Sequence, residues 1–255
     1  VTGMGYDGSW DSTDQIPQRA VDAGLIPRFG HVDDTTGGES HRYSLSLDAW
    51  SRHDGRGWSA LAYAIDYQLD LISNFTYVLD QDNGDQFEQY DSRRVYGGHF
   101  EYDLPASLNS RDGALRAGAE LRMDDVAPVA LYRTVARERF ETIRRDDVRQ
   151  GQYSAYAIHD QRWNDWLRTE AGLRFDYLDF SVDSDLPANS GDETDSIVGP
   201  KLTVVLGPWA ETEFFLNAGR GFHTNDARGT TIRVDPTNGV TPVQPVDPIV
   251  PAIGY

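Results

Sequence analysis

Apolar and polar side chains alternate along stretches of about ten residues, and this period of two constrains the fold more than any other feature. Between Arg42 and Trp50, the residues Tyr43, Leu45, Leu47 and Ala49 alternate with Ser44, Ser46 and Asp48. Between Leu61 and Asp70, the residues Leu61, Tyr63, Ile65, Tyr67 and Leu69 alternate with Ala62, Ala64, Asp66, Gln68 and Asp70. Successive side chains of a strand point to opposite faces, so each such stretch has one apolar and one polar face. A long up-and-down series of them predicts an all-β fold, an antiparallel transmembrane β-barrel.

Nine strand segments are expected, near Val1–Tyr6, His41–Arg52, Trp58–Ile72, Arg93–Leu104, Ala114–Asp124, Gln152–Arg162, Trp166–Val182, Ile197–Leu206 and Glu211–Phe222. Short joints at His53–Gly57, Pro105–Gly113, Trp163–Asp165 and Gly207–Ala210 alternate with long ones at Asp7–Ser40, Ser73–Ser92, Asp125–Gly151, Asp183–Ser196 and beyond His223. Outer-membrane barrels have this asymmetry, with short periplasmic turns and long outer loops. Leu131–Ile143 fits a helical stripe as well as a hairpin standing above the membrane. Gln152–Arg162 is ambiguous in facing, because Tyr153, Ala155 and Ala157 compete with Tyr156 and Ile158.

Elsewhere the faces separate. Tyr96, Gly98, Phe100, Tyr102 and Leu104 form one outward set. Leu115, Ala117, Ala119, Leu121 and Met123 form a second, and Leu167, Thr169, Ala171, Leu173, Phe175 and Tyr177 a third. The opposing sets carry both signs of charge and suit a polar lumen. A soluble barrel would turn the same apolar sets inward, and pattern alone does not separate the two. Trp50, Trp58, Tyr102, Trp163, Trp166 and Trp209 lie near strand ends, where an interfacial aromatic girdle would sit.

Composition narrows the function. The net charge is −18 and Lys201 is the one lysine, which argues against nucleic acid. The absence of cysteine excludes a disulfide scaffold and thiolate metal sites. No stretch of 18 apolar residues exists, so a transmembrane helix is excluded, whereas strands hide their lipid face in an averaged hydropathy. Both ends read as cut, so residues 1–255 are expected to be a fragment of one barrel domain, with plug domain and C-terminal strands absent.

The last strands resemble a known family. Val198–Trp209 (VGPKLTVVLGPW) runs into Thr212–Gly229, where Asn217–Asp226 reads NAGRGFHTND. A "PKL" strand, a tight turn and an "NxGxGFHxND" strand in that order resemble the barrel of TonB-dependent outer-membrane receptors. Trp166–Asp176, Gln86–Gly98 and Asp14–Val21 resemble the same family, so the likeness touches nearly the whole chain. It implies a barrel of about 22 strands closed by an N-terminal plug. It further implies a bacterial outer-membrane location and active import of a scarce nutrient, by default a ferric siderophore. The implied partners are the TonB complex, through the missing plug region, outer-membrane lipid, and a small ligand such as a metal chelate. About nine strands would be part of that barrel and would not function alone. A passive porin-like channel and a soluble acidic carbohydrate-binding β-protein are the alternatives.

No enzyme is expected, and no catalytic residue, cofactor or metal site is assigned. Gly3, Gly5 and Gly8 have dinucleotide-binding spacing, but Ser9–Asp14 reads as loop where a helix is required. Asp80-Gln-Asp82-Asn83-Gly84-Asp85 resembles a calcium loop with its glycine one position early, and reads as a turn. His31, Asp33, Asp34 and His41 are metal-ligand types on a flexible segment and read as loop. His223 and Asp226 read as loop-positioning. Arg116, Arg122 and Arg174 suit either an anionic ligand or pairing with carboxylates such as Glu120, Glu170 and Asp176. Ligand-binding residues stay unassigned.

Overall fold

The computed structural model describes residues 1–254. It is a single antiparallel sheet of ten strands in sequence order, β1 to β10, with β1 and β10 at its edges. The strands are β1 Thr2–Asp11, β2 Gly37–His53, β3 Arg56–Ser73, β4 Phe87–Pro105, β5 Gly113–Val135, β6 Glu138–Arg162, β7 Leu167–Ser184, β8 Gly191–Trp209, β9 Thr212–Thr224 and β10 Ile249–Gly254. Two helices of one turn, α1 (Gln18–Asp22) and α2 (Ala227–Thr231), lie in the connections. Among the described residues no helix is long and apolar enough to cross a membrane, which says nothing of strands.

The register defines two faces, because directly paired residues share one. Leu47, Ala62, Gly98, Leu121, Tyr153 and Tyr177 form one continuous cross-strand row. Asp48, Leu61, His99, Glu120, Ser154, Asp176 and Ile197 form the next, on the opposite face. On the apolar face Leu45, Phe100, Leu121 and Leu173 are 59, 50, 45 and 56% exposed, while Asp124 and Asp176 on the polar face are 3 and 1% exposed. Hydrophobic side chains open to the surroundings and carboxylates closed in is the reverse of a soluble barrel. Along β7 the apolar face runs from Leu167 to Tyr177, about 33 Å of strand, which at a tilt of about 40° spans the roughly 25 Å of a barrel's lipid band.

Four expectations need correction. First, β3 faces the other way: Leu61, Tyr63, Ile65, Tyr67 and Leu69 lie on the polar face and Ala60, Ala62 and Ala64 on the lipid-type face. Over Ala60–Ile65 both parities of β3 are apolar, and there size misled, as did Asp66, Gln68 and Asp70 farther along the Ala parity. The Tyr63 ring lies over Gly97, where any Cβ would run into it, so a large side chain belongs on that face. Secondly, Asp125–Gly151 is not a loop. β5 and β6 continue to a two-residue turn at Ala136–Arg137, both with positive φ (50° and 71°), the pattern of a type I′ hairpin. Leu131–Ile143 is therefore hairpin and not helix, and Asp183–Ser196 likewise shrinks to residues 185–190. Thirdly, the proline-rich end supplies β10, which pairs with β9 from Ile249↔Thr224 to Gly254↔Gly219, so the second edge is β10. Fourthly, Trp50 pairs with Ser59 and lies on the polar parity, whereas Trp58 and Tyr102 keep the girdle position. Tyr153, Ala155 and Ala157 take the lipid-type face.

The joints fall on two rims. Residues 54–55, 106–112, 163–166 and 210–211 turn at one end. The other end carries residues 12–36 and 74–86, the β5–β6 hairpin, residues 185–190 and residues 225–248. The last of these folds back over the polar face. Ala227 and Ile249 join Val126, Val148, Leu178, Phe180, Val182 and Ile197 in one apolar cluster there.

Candidate functional site

The polar face holds a sequence of arginine–carboxylate pairs whose members stand two residues apart on one strand. Side chains at i and i+2 lie about 7 Å apart along the same face, within reach of an extended guanidinium. Arg122 Nε and Nη2 donate to Asp124 at 2.7 and 2.9 Å. Arg174 Nε donates to Asp176 Oδ1 at 2.9 Å, and its Nη2 donates to Glu120 Oε2 at 2.7 Å across two strands. Arg93 pairs with Asp91 and Arg144 with Asp146 in the same way, and at the start of α2 Arg228 pairs with the helix-capping Asp226. Arg116 turns to Asp103 at 3.1 Å and Glu101 at 3.4 Å, and Lys201 holds Glu170 at 2.8 Å. The lumen-type arginines are thus engaged by carboxylates. Of the two roles open in the sequence, pairing is the one the geometry supplies, although Arg116 finds Asp103 and Glu101 rather than Glu120.

Around Arg174 the pairs close into a network. Ser154 Oγ donates to Asp176 Oδ1 at 2.6 Å. Tyr156 OH donates to Glu101 Oε2 at 2.6 Å, and the His99 Nε2–H donates to the Tyr156 oxygen at 2.8 Å. The Tyr156 ring lies over Gly118, the position at which a Cβ would collide with it. Glu101, Glu120, Tyr156, Arg174 and Lys201 border a cavity of about 340 Å³. A wall of fixed donors and acceptors of both signs can hold a polar body against the sheet. Sequence reading did not find Tyr156, His99 and Glu101 as a unit, since their connection depends on a register that only pairing establishes.

A second assembly binds the loops of the other rim together. Asp33 accepts from Thr35 N at 2.9 Å and Thr35 Oγ1 at 2.6 Å, and from Asn74 Nδ2 at 2.9 Å and Gln86 Nε2 at 2.8 Å. Partial burial pushes its carboxyl up. The hydrogen bonds from Asn74, Thr35 and Gln86 outweigh that and hold it below the ordinary carboxylate value. Gln86 Oε1 in turn accepts from Thr134 Oγ1 at 2.9 Å and from Arg137 N at 2.8 Å. Arg137 Nε reaches Thr35 O at 2.7 Å. Residues 12–36, residues 74–86 and the tip of the β5–β6 hairpin are therefore one cross-linked unit.

The remaining candidates resolve as structure. Gly3, Gly5 and Gly8 lie within β1, so no strand–turn–helix is built there. Asp80 accepts from Asp82 N at 3.0 Å and Asn83 N at 3.1 Å and is paired with Arg133, which holds its carboxyl well below the usual range. Asp85 accepts from Leu79 N and Asp80 N at 2.7 and 2.8 Å, so the segment is a turn. His41 leaves the Asp33 group to pair with Asp66 at 3.1 Å on the apolar-face parity, and His31 is exposed. Asp226 caps α2 by accepting from Arg228 N at 2.9 Å. Asn225 donates to Pro248 O and Asp247 O at 3.0 and 2.7 Å. The His223–Asp226 stretch thus fixes where the chain leaves β9.

Residues 2–248 match the family model described as "TonB dependent receptor-like, beta-barrel". Among solved structures, the crystal structure of ferric citrate transporter FecA in the unliganded form superposes with a TM-score of 0.71 at 13% identity. The alignment covers 86% of this chain and 32% of that one, so the chain spans about a third of that structure. At this identity the likeness shows the fold alone. No curated protein matches the sequence.

Proposed function

The chain belongs to the TonB-dependent receptor-like β-barrel family, and on that premise we propose that it is part of a bacterial outer-membrane transporter that imports a scarce nutrient with energy from the TonB system. The observation that carries the reading is the inverted exposure of the sheet, with Leu45, Phe100, Leu121 and Leu173 open and Asp124 and Asp176 closed in. Such a wall is stable with hydrocarbon on its apolar face and a polar filling on the other. In this reading residues 1–255 belong to one larger barrel whose further strands continue from β1 and β10, since an open edge in a membrane leaves backbone groups without partners. A plug domain packs against the paired arginines, and TonB engages the receptor through it.

The cargo we infer is a ferric siderophore or related metal chelate. The structural neighbour's ferric citrate belongs to this class. The cross-linked loops at the Asp33 rim form the outer vestibule that such a chelate meets first. Transport rather than catalysis is the role of the family.

Uptake of radiolabelled iron tests the reading. Cells lacking their own receptors and carrying the whole receptor should accumulate iron from a matching ferric siderophore, and lose that uptake when TonB is deleted. Uptake that persists without TonB would make the protein a passive channel.

A further inference from the structure

At the base of the 74–86 loop, carboxylates from three strands gather around one arginine. On β3 the lipid-type face ends at Ala64, and Asp66, Gln68 and Asp70 carry its parity on toward the loop rim. Asp70 stands directly opposite Glu39 of β2 on one side and Tyr90 of β4 on the other. Glu88, on the same face of β4 as Tyr90, is in hydrogen-bond contact with Asp70. It is 2% exposed, and its carboxylate accepts from Arg139 Nε at 2.6 Å. Arg139 Cζ lies 4.1 Å from the centre of the Tyr132 ring and 5.3 Å from that of Tyr90, which holds the guanidinium over β4 and β5. The cations on either side are engaged elsewhere. His41 and Arg94 pair with Asp66 at 3.1 and 3.4 Å, and Arg145, across Ala130 from Tyr90, pairs with Asp147 at 3.6 Å. Arg139 is thus the cation left for Glu39, Asp70 and Glu88 among the described residues. Asp70 Oδ1 is enclosed and meets no donor among those residues. An enclosed carboxylate oxygen without a donor, beside a second carboxylate, favours a bound proton.

We propose that Asp70, Glu88 and Arg139 form a proton-operated latch at the base of the outer loops. With a proton on Asp70, the acid donates to Glu88 while Glu88 stays charged against Arg139. The end of β3, the start of β4 and the start of β6 are then stitched together below the 74–86 loop and the β5–β6 turn. Without that proton Asp70 and Glu88 repel, Glu39 adds to the repulsion, and the stitch from β3 to β4 opens. Burial and the neighbouring Glu88 push the Asp70 carboxyl up from 3.8 to about 6, against the pull of Arg139. The stitch is therefore present in full below the ordinary value of 3.8 and lost as the pH rises through about 6. Where the outer loops meet cargo, as proposed above, the latch ties their order to the acidity outside the cell.

The test is amide hydrogen exchange of the whole receptor without cargo, followed across acid and neutral pH and corrected for intrinsic rate. In wild type, opening of Gln68–Ser73 and Phe87–Ser92 should rise about tenfold per pH unit between about pH 4 and about pH 6, then level off, as the loss of one proton requires. Asp70→Asn, whose amide donates to Glu88 as the protonated acid does, should stay closed throughout. Glu39→Gln should keep the rise but level off at lower pH, since one repelling charge is gone. No rise in wild type, a rise that survives in Asp70→Asn, or a levelling point unmoved by Glu39→Gln would overturn the latch. Exchange is read without cargo, so a latch that fails leaves the transport reading standing, and a receptor that imports no iron leaves the latch standing.

Discussion

Arg174 and Asp176 stand two residues apart on the polar face of β7, and the Arg174 Nε lies 2.9 Å from Asp176 Oδ1 while its Nη2 reaches Glu120 at 2.7 Å. The arginine bridges three strands at a point where Asp176 is 1% exposed. Removing it leaves a closed-in carboxylate with only Ser154 and Gln152 as donors. Arg174→Ala should destabilise the receptor by about 2 kcal/mol. The double variant R174A/D176A should cost less than the sum of the two single changes. Thermal unfolding in detergent measures both, and additivity would show that the two side chains act independently.

The facing assignment predicts position-specific costs. Leu121→Arg or Leu173→Arg places a charge in hydrocarbon and should impair folding into bilayers by about 2–4 kcal/mol near the midplane. Arg122→Gln should be milder. In β3 the expected order is the opposite of what side-chain size suggests: Ala62→Arg should cost more than Ile65→Gln. Urea titrations of folding into lipid bilayers give the order directly, and equal tolerance at Ala62 and Ile65 would refute the β3 register.

Gly97 has no room for a side chain while Tyr63 lies across it. Gly97→Val should cost about 1–3 kcal/mol by displacing the ring. Tyr63→Ala should cost packing by itself yet make the valine tolerable in the double variant. A double-mutant cycle in thermal stability reads this coupling, and a cycle that closes to zero would separate the two residues.

Acid should release the loops at the Asp33 rim. The Asp33 carboxyl titrates below its ordinary value of 3.8 in the fold. Its contribution is therefore present in full above that pH and lost as the pH falls through the lowered value. Amide exchange in residues 74–86, corrected for intrinsic rate, should accelerate below about pH 4 in wild type. In Asp33→Ala it should already be fast at neutral pH. Protection that is unchanged in Asp33→Ala would show that Asn74 and Gln86 are held by other contacts.

Much of this architecture is legible in the sequence because lipid imposes its periodicity on every second residue. The sets through Phe100, Leu121 and Leu173 have apolar and charged parities that differ sharply, and their facing follows at once. Over Ala60–Ile65 the two parities of β3 differ only in size, and size there follows packing over Gly97, while the polar Asp66, Gln68 and Asp70 sit on the Ala parity farther along the strand. Ala136–Arg137 is hidden for another reason: both residues adopt positive φ without the glycine or asparagine that signals such a turn. β10 lies in a proline-rich stretch, where Pro251, which has no backbone donor for a ladder, signals against a strand. Asp33, Gln86 and Arg137 are far apart in sequence, and their union depends on the loops' tertiary course. Pairing of the lumen-type arginines with carboxylates is legible in the sequence for Arg174 with Asp176 and Glu120, whereas Asp124 as the partner of Arg122 and Asp103 as that of Arg116 follow only from the folded strands.

The most direct test is to ask which face meets hydrocarbon. This stretch contains no cysteine, so Phe100→Cys, Leu121→Cys and Leu173→Cys on one face, and Ser154→Cys and Gln152→Cys on the other, can each carry one spin label in the whole receptor. After reconstitution in bilayers, labels at residues 100, 121 and 173 should collide freely with membrane-dissolved oxygen and be shielded from a water-soluble nickel complex. Labels at 152 and 154 should show little oxygen access. The opposite pattern, with the first three labels shielded from oxygen and the last two reached by it, would contradict the account.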